Sequence, residues 1–348
     1  MRMTWALIVA VAVATAAAGI AHFANAPALL TFVIATVALA GLAWLVSFAT
    51  EQVGERYGPA ITGLLQSTLG NLPEFFIVVF ALAAGEIVVA QTSIIGSIFA
   101  NALFVLGLVI VAGCHVSSDG VMRFQARLPK DNATLMLLAS FVIVIIGISV
   151  ATGDKASTHV TAISVVGAVA LLVTYGVWLY DYIRSDVKPD AVHAEPRVSM
   201  NFALVLLALA GVGAAFVSDW FIDALSPAME QVGIPKAFAG LVIVAIAGNA
   251  VENVTALVLA SKGEADLAIS VVKNSVAQIA VFLFPALILV SLLFATPLTF
   301  VLPPVYIAAL ALSALSIWQI TGDGEARDYE GAALISLFVI VAAVAWFE

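Results

Sequence analysis

Charge is what this chain has least of. Only 10% of its 348 residues are Asp, Glu, Lys or Arg, where a soluble domain carries about a quarter. No stretch is long and polar enough to make a soluble domain, which leaves one membrane domain. The 13 basic residues form no patch and the net charge is −9, so nucleic acid is not an expected partner. Cys114 is the single cysteine, which excludes disulfides and cysteine-rich metal centres. His22, His115, His159 and His193 show no metal-ligand spacing. HExxH and GxSxG are both missing, so nothing supplies a catalytic metal or an activated nucleophile. An enzyme is therefore not expected, and neither is a cofactor.

What the chain has instead is hydrocarbon. Apolar residues make up 63% of it and the mean hydropathy is +1.15. Runs of about 20 apolar residues, each enough to span a bilayer, recur along the length. The expected architecture is an all-α integral membrane protein with eleven transmembrane helices. The spans read as 5–24, 28–50, 59–84, 90–114, 131–152, 159–182, 200–229, 235–260, 267–294, 297–320 and 330–347. Polar segments separate them: EQVGERYG at 51–58, the 115–131 loop, a linker at 183–199, and GDGEARDYE at 322–330. Ala24-Asn25-Ala26 imitates a signal-peptidase site, but Pro27 directly after it would hinder cleavage, so the first span is expected to stay.

Lysine and arginine set the orientation. With the N-terminus inside, the inner loops hold Arg2, Arg56, Arg123, Arg127, Lys130, Arg184, Lys188, Arg197, Lys262 and Arg327. The outer loops hold only Lys155 and Lys236, and Lys273 lies near the start of a span. The expectation is a multi-pass protein of a prokaryotic inner (cell) membrane, N-terminus cytoplasmic and C-terminus external.

Two polar motifs interrupt the apolar helices. GNLPE runs from Gly70 to Glu74 and GNAVE from Gly248 to Glu252, an offset of 178 residues. The same offset carries Gly85-Glu86 onto Gly263-Glu264 and Ser97 onto Ser275, while EQVG at 51–54 recurs at 230–233. The repetition divides the chain into a leading helix at 1–27, a first five-helix repeat at 28–182, a cytoplasmic linker at 183–199 and a second five-helix repeat at 200–348. An odd number of spans per repeat forces the two halves into opposite orientations, the inverted-repeat plan of secondary transporters.

The chemistry follows from helical spacing. Asn71 and Glu74 are three residues apart and share a helix face, as do Asn249, Glu252 and Asn253. Ionisable residues inside a membrane are costly and mark function by default. Gly70, Gly248 and Pro73 loosen the helices and free backbone carbonyls, tolerated only where a cavity is lined. Carboxylates, amides, hydroxyls and carbonyls form an all-oxygen set of the kind Ca²⁺ takes. Ser97 with Asn101, and Ser275 with Gln278, are further lining candidates, with interhelical hydrogen bonding as the bland alternative. Glu51, Glu230 and Asp219 are secondary candidates for collecting cations at the two mouths. Glu86 and Glu264 read as solvated loop residues. Thr68 and Thr255 read equally well as ligands or as helix packers.

The stretches 58–107 and 238–291, with the paired GNxxE motifs at their centres, resemble the cation/proton exchangers (CAX type) of the Ca²⁺:cation antiporter superfamily. The resemblance implies a leading helix followed by two inverted five-helix repeats, and exchange of Ca²⁺ for protons across a lipid bilayer. It implies that Glu74 and Glu252 bind cation and proton at the midplane, completed by Asn71, Asn249, Ser97 and Ser275. Two places depart from the pattern: Asn253 stands where the family usually has His, and Asn274-Ser275-Val276, preceded by Lys273, where it usually has Gly-Ser-Ser. Pro73-Glu74 resembles the sodium/calcium exchanger branch, so sodium coupling is the alternative, with a cation channel behind it. Beside Ca²⁺ the candidate ions are Na⁺, K⁺ and Mn²⁺, and the candidate assembly is a homo-oligomer.

Overall fold

A computed structural model describes residues 2–54, 69–125, 127–184 and 197–348. Arg56, Thr68, the start of the 59–84 span and most of the 183–199 linker, with Lys188 and His193, lie outside the described residues. Twelve helices are defined: α1 (Arg2–Phe23), α2 (Ala28–Gly54), α3 (Leu72–Ala83), α4 (Ile87–Val116), α5 (Arg127–Ala151), α6 (Val160–Arg184), α7 (Met200–Val232), α8 (Lys236–Gly248), α9 (Ala250–Ser261), α10 (Ala265–Ser291), α11 (Pro304–Thr321) and α12 (Asp328–Trp346). Among the described residues nine helices are long and apolar enough to cross a membrane. The pair α8 and α9, bent by 61° at its break, makes a tenth crossing if counted as one span. Of the span read at 59–84, the described part is the shorter apolar helix α3.

The chain is not wholly helical. Val121–Arg123 (β1) pairs antiparallel with Glu325–Arg327 (β2), Met122 opposite Ala326. The reason lies in the loops rather than the spans. Leaving the helices, these segments need partners for their backbone groups, and each finds them in the other. Met122 and Ala326 turn inward while Arg123 and Glu325 stay out and pair at 3.2 Å.

The described residues form two compact units. The first comprises Met1–Glu86, Gly176–Lys236 and Ala247–Val251. In it α2 lies along α7, α1 covers both, and α3 packs on α7. Phe32 stacks on Phe221 with ring centroids 4.9 Å apart, and Leu72 reaches 3.9 Å from where a side chain on Gly211 would begin. Ser199 caps the start of α7, and Gly233, at φ +71, ends it in the left-handed conformation glycine adopts freely. At the far end of α3, Glu86 accepts hydrogen bonds from Lys236 Nζ (2.7 and 2.9 Å) and Ser226 Oγ (2.7 Å). It is thus an ion-paired, partly buried residue, which corrects its reading as a solvated loop residue. Burial works against its charge, yet the bonds from Lys236 and Ser226 outweigh that and hold the carboxyl below its ordinary 4.5.

The second unit comprises Ile87–Tyr175, Ala237–Ile246 and Glu252–Glu348. Here α4 crosses the π-helical segment Ala239–Val244 of α8, α5 packs on α10 and α11, and α12 packs on α4. The crossing depends on missing side chains. A Cβ on Gly96 would lie 2.3 Å from Leu241 O, and one on Gly240 2.0 Å from Thr92 Oγ1.

Element boundaries repeat at the motif offset of 178. It carries α3 onto α9 at both ends, the start of α4 at Ile87 onto that of α10 at Ala265, and the end of α2 at Gly54 onto that of α7 at Val232. It also carries the π-helical segment Ala100–Val105 of α4 to within a residue of Ile279–Leu283 in α10.

Two outcomes are expected from this packing. Gly96→Val forces backbone apart at the α4–α8 crossing and should lower stability by about 1–3 kcal/mol or more, read as a lower midpoint of thermal unfolding in detergent; an unchanged midpoint would contradict the crossing. Because the Glu86 carboxyl is depressed, its contribution to stability is present above about pH 4.5 and is lost as pH falls through its lower folded value. The unfolding midpoint of Glu86→Gln should therefore lose that acid-side dependence.

Candidate functional site

Both motifs open a helix, and at the second another helix has just stopped. Gly248 ends α8, Asn249 stands in the turn, and α9 begins at Ala250. In the other half Gly70 lies in a turn and Asn71 precedes the first residue of α3. Each glutamate then occupies the third position of a new helix. There the first backbone N–H groups lack helical partners and the helix dipole presents its positive end. A carboxylate is the side chain that end suits best.

In the first unit the two motifs meet. Asn249 Nδ2 donates to Glu74 Oε1 at 2.5 Å, with both side chains buried. Gly248 makes the approach possible, because a Cβ there would come within 3.0 Å of Glu74 Cγ. Asn71 is buried beside them in sequence, and its main-chain carbonyl takes up the Phe75 N–H at 2.9 Å. Gly70, Asn71, Glu74, Gly248 and Asn249 therefore belong to one compact unit, although two of them lie 178 residues along the chain.

In the second unit the remaining candidates are Glu252, Ser275, Ser97 and, as secondary ones, Asn101, Asn253 and Gln278. Ser275 faces Glu252 without closing a hydrogen bond of normal geometry. Glu252 Oε2, Asn253 Oδ1 and Ser275 Oγ are all enclosed and have no hydrogen-bond partner among the described residues. Buried polar atoms left this way cost roughly 1–3 kcal/mol each, so each calls for a partner that the described residues do not supply. Ser97 is buried at the end of the α-helical part of α4, just before the π-helical segment. Asn101 spends its amide N–H on Ser97 O at 3.0 Å, within its own helix. Gln278 is half-buried at the matching boundary in α10, and Thr255 is exposed.

The proposed mouth residues lie elsewhere. Glu230 is exposed in the last turn of α7, 19 residues and so about 28 Å along the helix from Gly211, which Leu72 touches. Asp219 is half-buried on α7 and Asp223, one turn on, is exposed; Glu51 sits in the last turn of α2. Among the described residues no three His, Cys, Asp or Glu side chains gather as a metal centre. The donors on offer are oxygens, with carboxylates, amides and a hydroxyl contributing.

Lys273 is buried, donates to Thr321 Oγ1, and lies in an apolar pocket with Ala102, Leu106, Met136 and Ile317. Neither this tie nor the Glu86–Lys236 pair was visible in the sequence. The doubled Gly-Glu of the two turns was the only signal, and it does not name a partner.

The whole chain has relatives. It matches the family described as sodium/calcium exchanger protein twice, over residues 27–182 and 202–347. It is 32% identical over 320 residues to the vacuolar calcium ion transporter of Schizosaccharomyces pombe, covering 89% of this chain and 77% of that one. It is 30% identical over 329 residues to the Ca²⁺/H⁺ antiporter ChaA of Bacillus subtilis, covering 91% and 92%. Among solved structures, native YfkE aligns with a TM-score of 0.83 at 27% identity over 98% of this chain and 100% of that one. The H⁺/Ca²⁺ exchanger CAX aligns with a TM-score of 0.77 over 100% and 93%, at 17% identity, which is a likeness of fold. The chain is a membrane protein of the sodium/calcium exchanger family, and its relatives include Ca²⁺/H⁺ antiporters and vacuolar cation/proton exchangers.

Proposed function

We propose that this chain is a secondary active antiporter that exchanges Ca²⁺ for protons by alternating access, with Glu74 and Glu252 binding cation and proton in turn. One observation carries the reading: twice, 178 residues apart, a turn at the asparagine of a Gly-Asn pair leads into a helix with a glutamate at its third position. The relatives named as Ca²⁺/H⁺ antiporters support the choice of ions.

The mechanism is competition for two carboxylates. Ionised, they offer −2, which one Ca²⁺ neutralises. With the cation gone, two bare charges in a low dielectric are costly, and protons replace it. A loaded or protonated site is near neutral and can pass between inward- and outward-facing states; an empty, doubly charged one cannot. That prohibition couples the fluxes. Asn71, Asn249, Ser97 and Ser275 complete the oxygen set, with Gly70 and Gly248 allowing the close approach of backbone. Asn101, Gln278 and Asn253 stand behind them, and Glu51, Glu230 and Asp219 attract cations toward the mouths.

The proposed frame is eleven helices, one leading (1–27) and five in each repeat (28–182 and 200–348), joined by the cytoplasmic 183–199 linker, with the repeats in opposite orientations. The protein sits in a prokaryotic inner membrane with its N-terminus cytoplasmic. Loops assigned to one side do pair with each other: the Glu86 turn with Lys236, β1 with β2, and Gln125 N with Asp266 at 2.5 Å.

Two experiments test the reading. Purified protein in liposomes should take up ⁴⁵Ca²⁺ when a pH gradient is imposed, with matching proton release seen by an internal dye. Uptake that ignores pH and follows Na⁺ would move the chain to sodium coupling, and flux with no counter-ion would make it a channel. Glu74→Gln and Glu252→Gln should each reduce exchange to the level of empty liposomes while leaving the detergent elution profile unchanged. Substantial exchange in both variants would remove the glutamates from the mechanism.

A further inference from the structure

The Glu86 cluster ties three elements of the first unit together outside the candidate site. One carboxylate receives three hydrogen bonds from two elements: Ser226, next to Pro227 inside α7, and Lys236, the first residue of α8. An ammonium at the start of a helix faces the positive end of the dipole, so Lys236 owes its placement to the acid opposite. Glu86 follows the end of α3, whose first turn carries Glu74. Asn249 follows the end of α8 and donates to Glu74. The ends of α3 and α8 are thus tied twice, by Glu74–Asn249 at one end and Glu86–Lys236 at the other.

The duplicated turn is not tied in this way. Glu264, the counterpart of Glu86, is exposed and makes no such pair among the described residues. Its turn is held through Asp266, which accepts from Gln125 N. Two turns with matching sequence therefore differ in one respect: one carries a charged clasp and the other does not.

We infer that the Glu86–Lys236–Ser226 cluster is a latch that holds the protein closed at the α3–α4 end, and that releasing it is part of opening the cation path there. The inference rests on the antiport reading for its purpose, but not for its geometry. A latch differs from a mere brace in a testable way. Breaking it favours the state open at that end, so the cation is captured more readily from that side and less readily from the other.

The test uses the full-length protein with Ser218→Cys, a buried position on α7 about two turns before Ser226. The native Cys114 is buried, so labelling by a polar maleimide in membranes reports opening around residue 218. Glu86→Gln and Lys236→Gln should each label about two- to fivefold faster, the range for losing a part-exposed ion pair. The exchanged pair, Glu86→Lys with Lys236→Glu, should return toward the parent rate. In the same variants the half-saturating Ca²⁺ should fall on the latched face and rise on the opposite one. Equal labelling rates, a swap that behaves like the single variants, or half-saturation moving in one direction on both faces would overturn the latch. Faster labelling reversed by the swap, in a protein that moves no Ca²⁺, would leave the latch standing and overturn the antiport reading instead.

Discussion

A carboxylate can be buried among apolar helices only if something there donates to it, and here the donor stands at the break between α8 and α9. Asn249 reaches Glu74 because α8 stops at Gly248, because that residue has no Cβ to strike Glu74, and because α9 leaves at 61°. A membrane core penalises every unbonded backbone group, so irregular backbone survives in it only where it serves a lining. The break and the charge therefore justify each other. Without the glutamate the break would be a defect, and without the break the glutamate would face the packed side of a continuous helix. The rest of the first unit is arranged around keeping that junction in place, with α7 running behind α3 and the Glu86 cluster fastening the opposite end.

The second unit solves a related problem with fewer bonds. Glu252 occupies the same helical position as Glu74, but the oxygens around it, Asn253 Oδ1 and Ser275 Oγ, are acceptors or weak donors left unengaged among the described residues. The π-helical segments of α4, α8 and α10 belong to the same theme. Each wide turn inserts a residue into the helix, loosens the i→i+4 ladder, and recurs at functional positions in helices generally. Gly240 lies in one of them, pressed against Thr92.

Much of this was legible beforehand, and for a physical reason. Solvent exclusion is written in every residue of a span, so among the described residues nine helices long and apolar enough to cross a membrane, and the bent α8–α9 pair, could be read from hydropathy. The doubled GNxxE located the starts of α3 and α9 to within two residues. What could not be read involves partners far apart in sequence. Three-residue strands such as Val121–Arg123 carry no periodicity, and their pairing with Glu325–Arg327 is set by which loops come together. Glu86 looked solvated because a turn residue's burial depends on what approaches it, and Lys236 lies 150 residues away. Lys273 presented the same difficulty, since its partner Thr321 belongs to another helix.

The two compact units do not coincide with the two halves of the sequence. α1, α2 and α3 share the first with α7, while α4 and α5 share the second with α10, α11 and α12. During synthesis α2 is therefore finished long before α7 exists. At 5–20 residues per second the roughly 150 intervening residues take on the order of ten seconds. For that time Phe32 and Leu42, which later meet Phe221 and Gly213 of α7, lack those partners. A surface of small apolar side chains waits in lipid at little cost, whereas a polar one would invite the wrong neighbour. The blandness of α2 is thus a requirement of assembly order as much as of the finished packing.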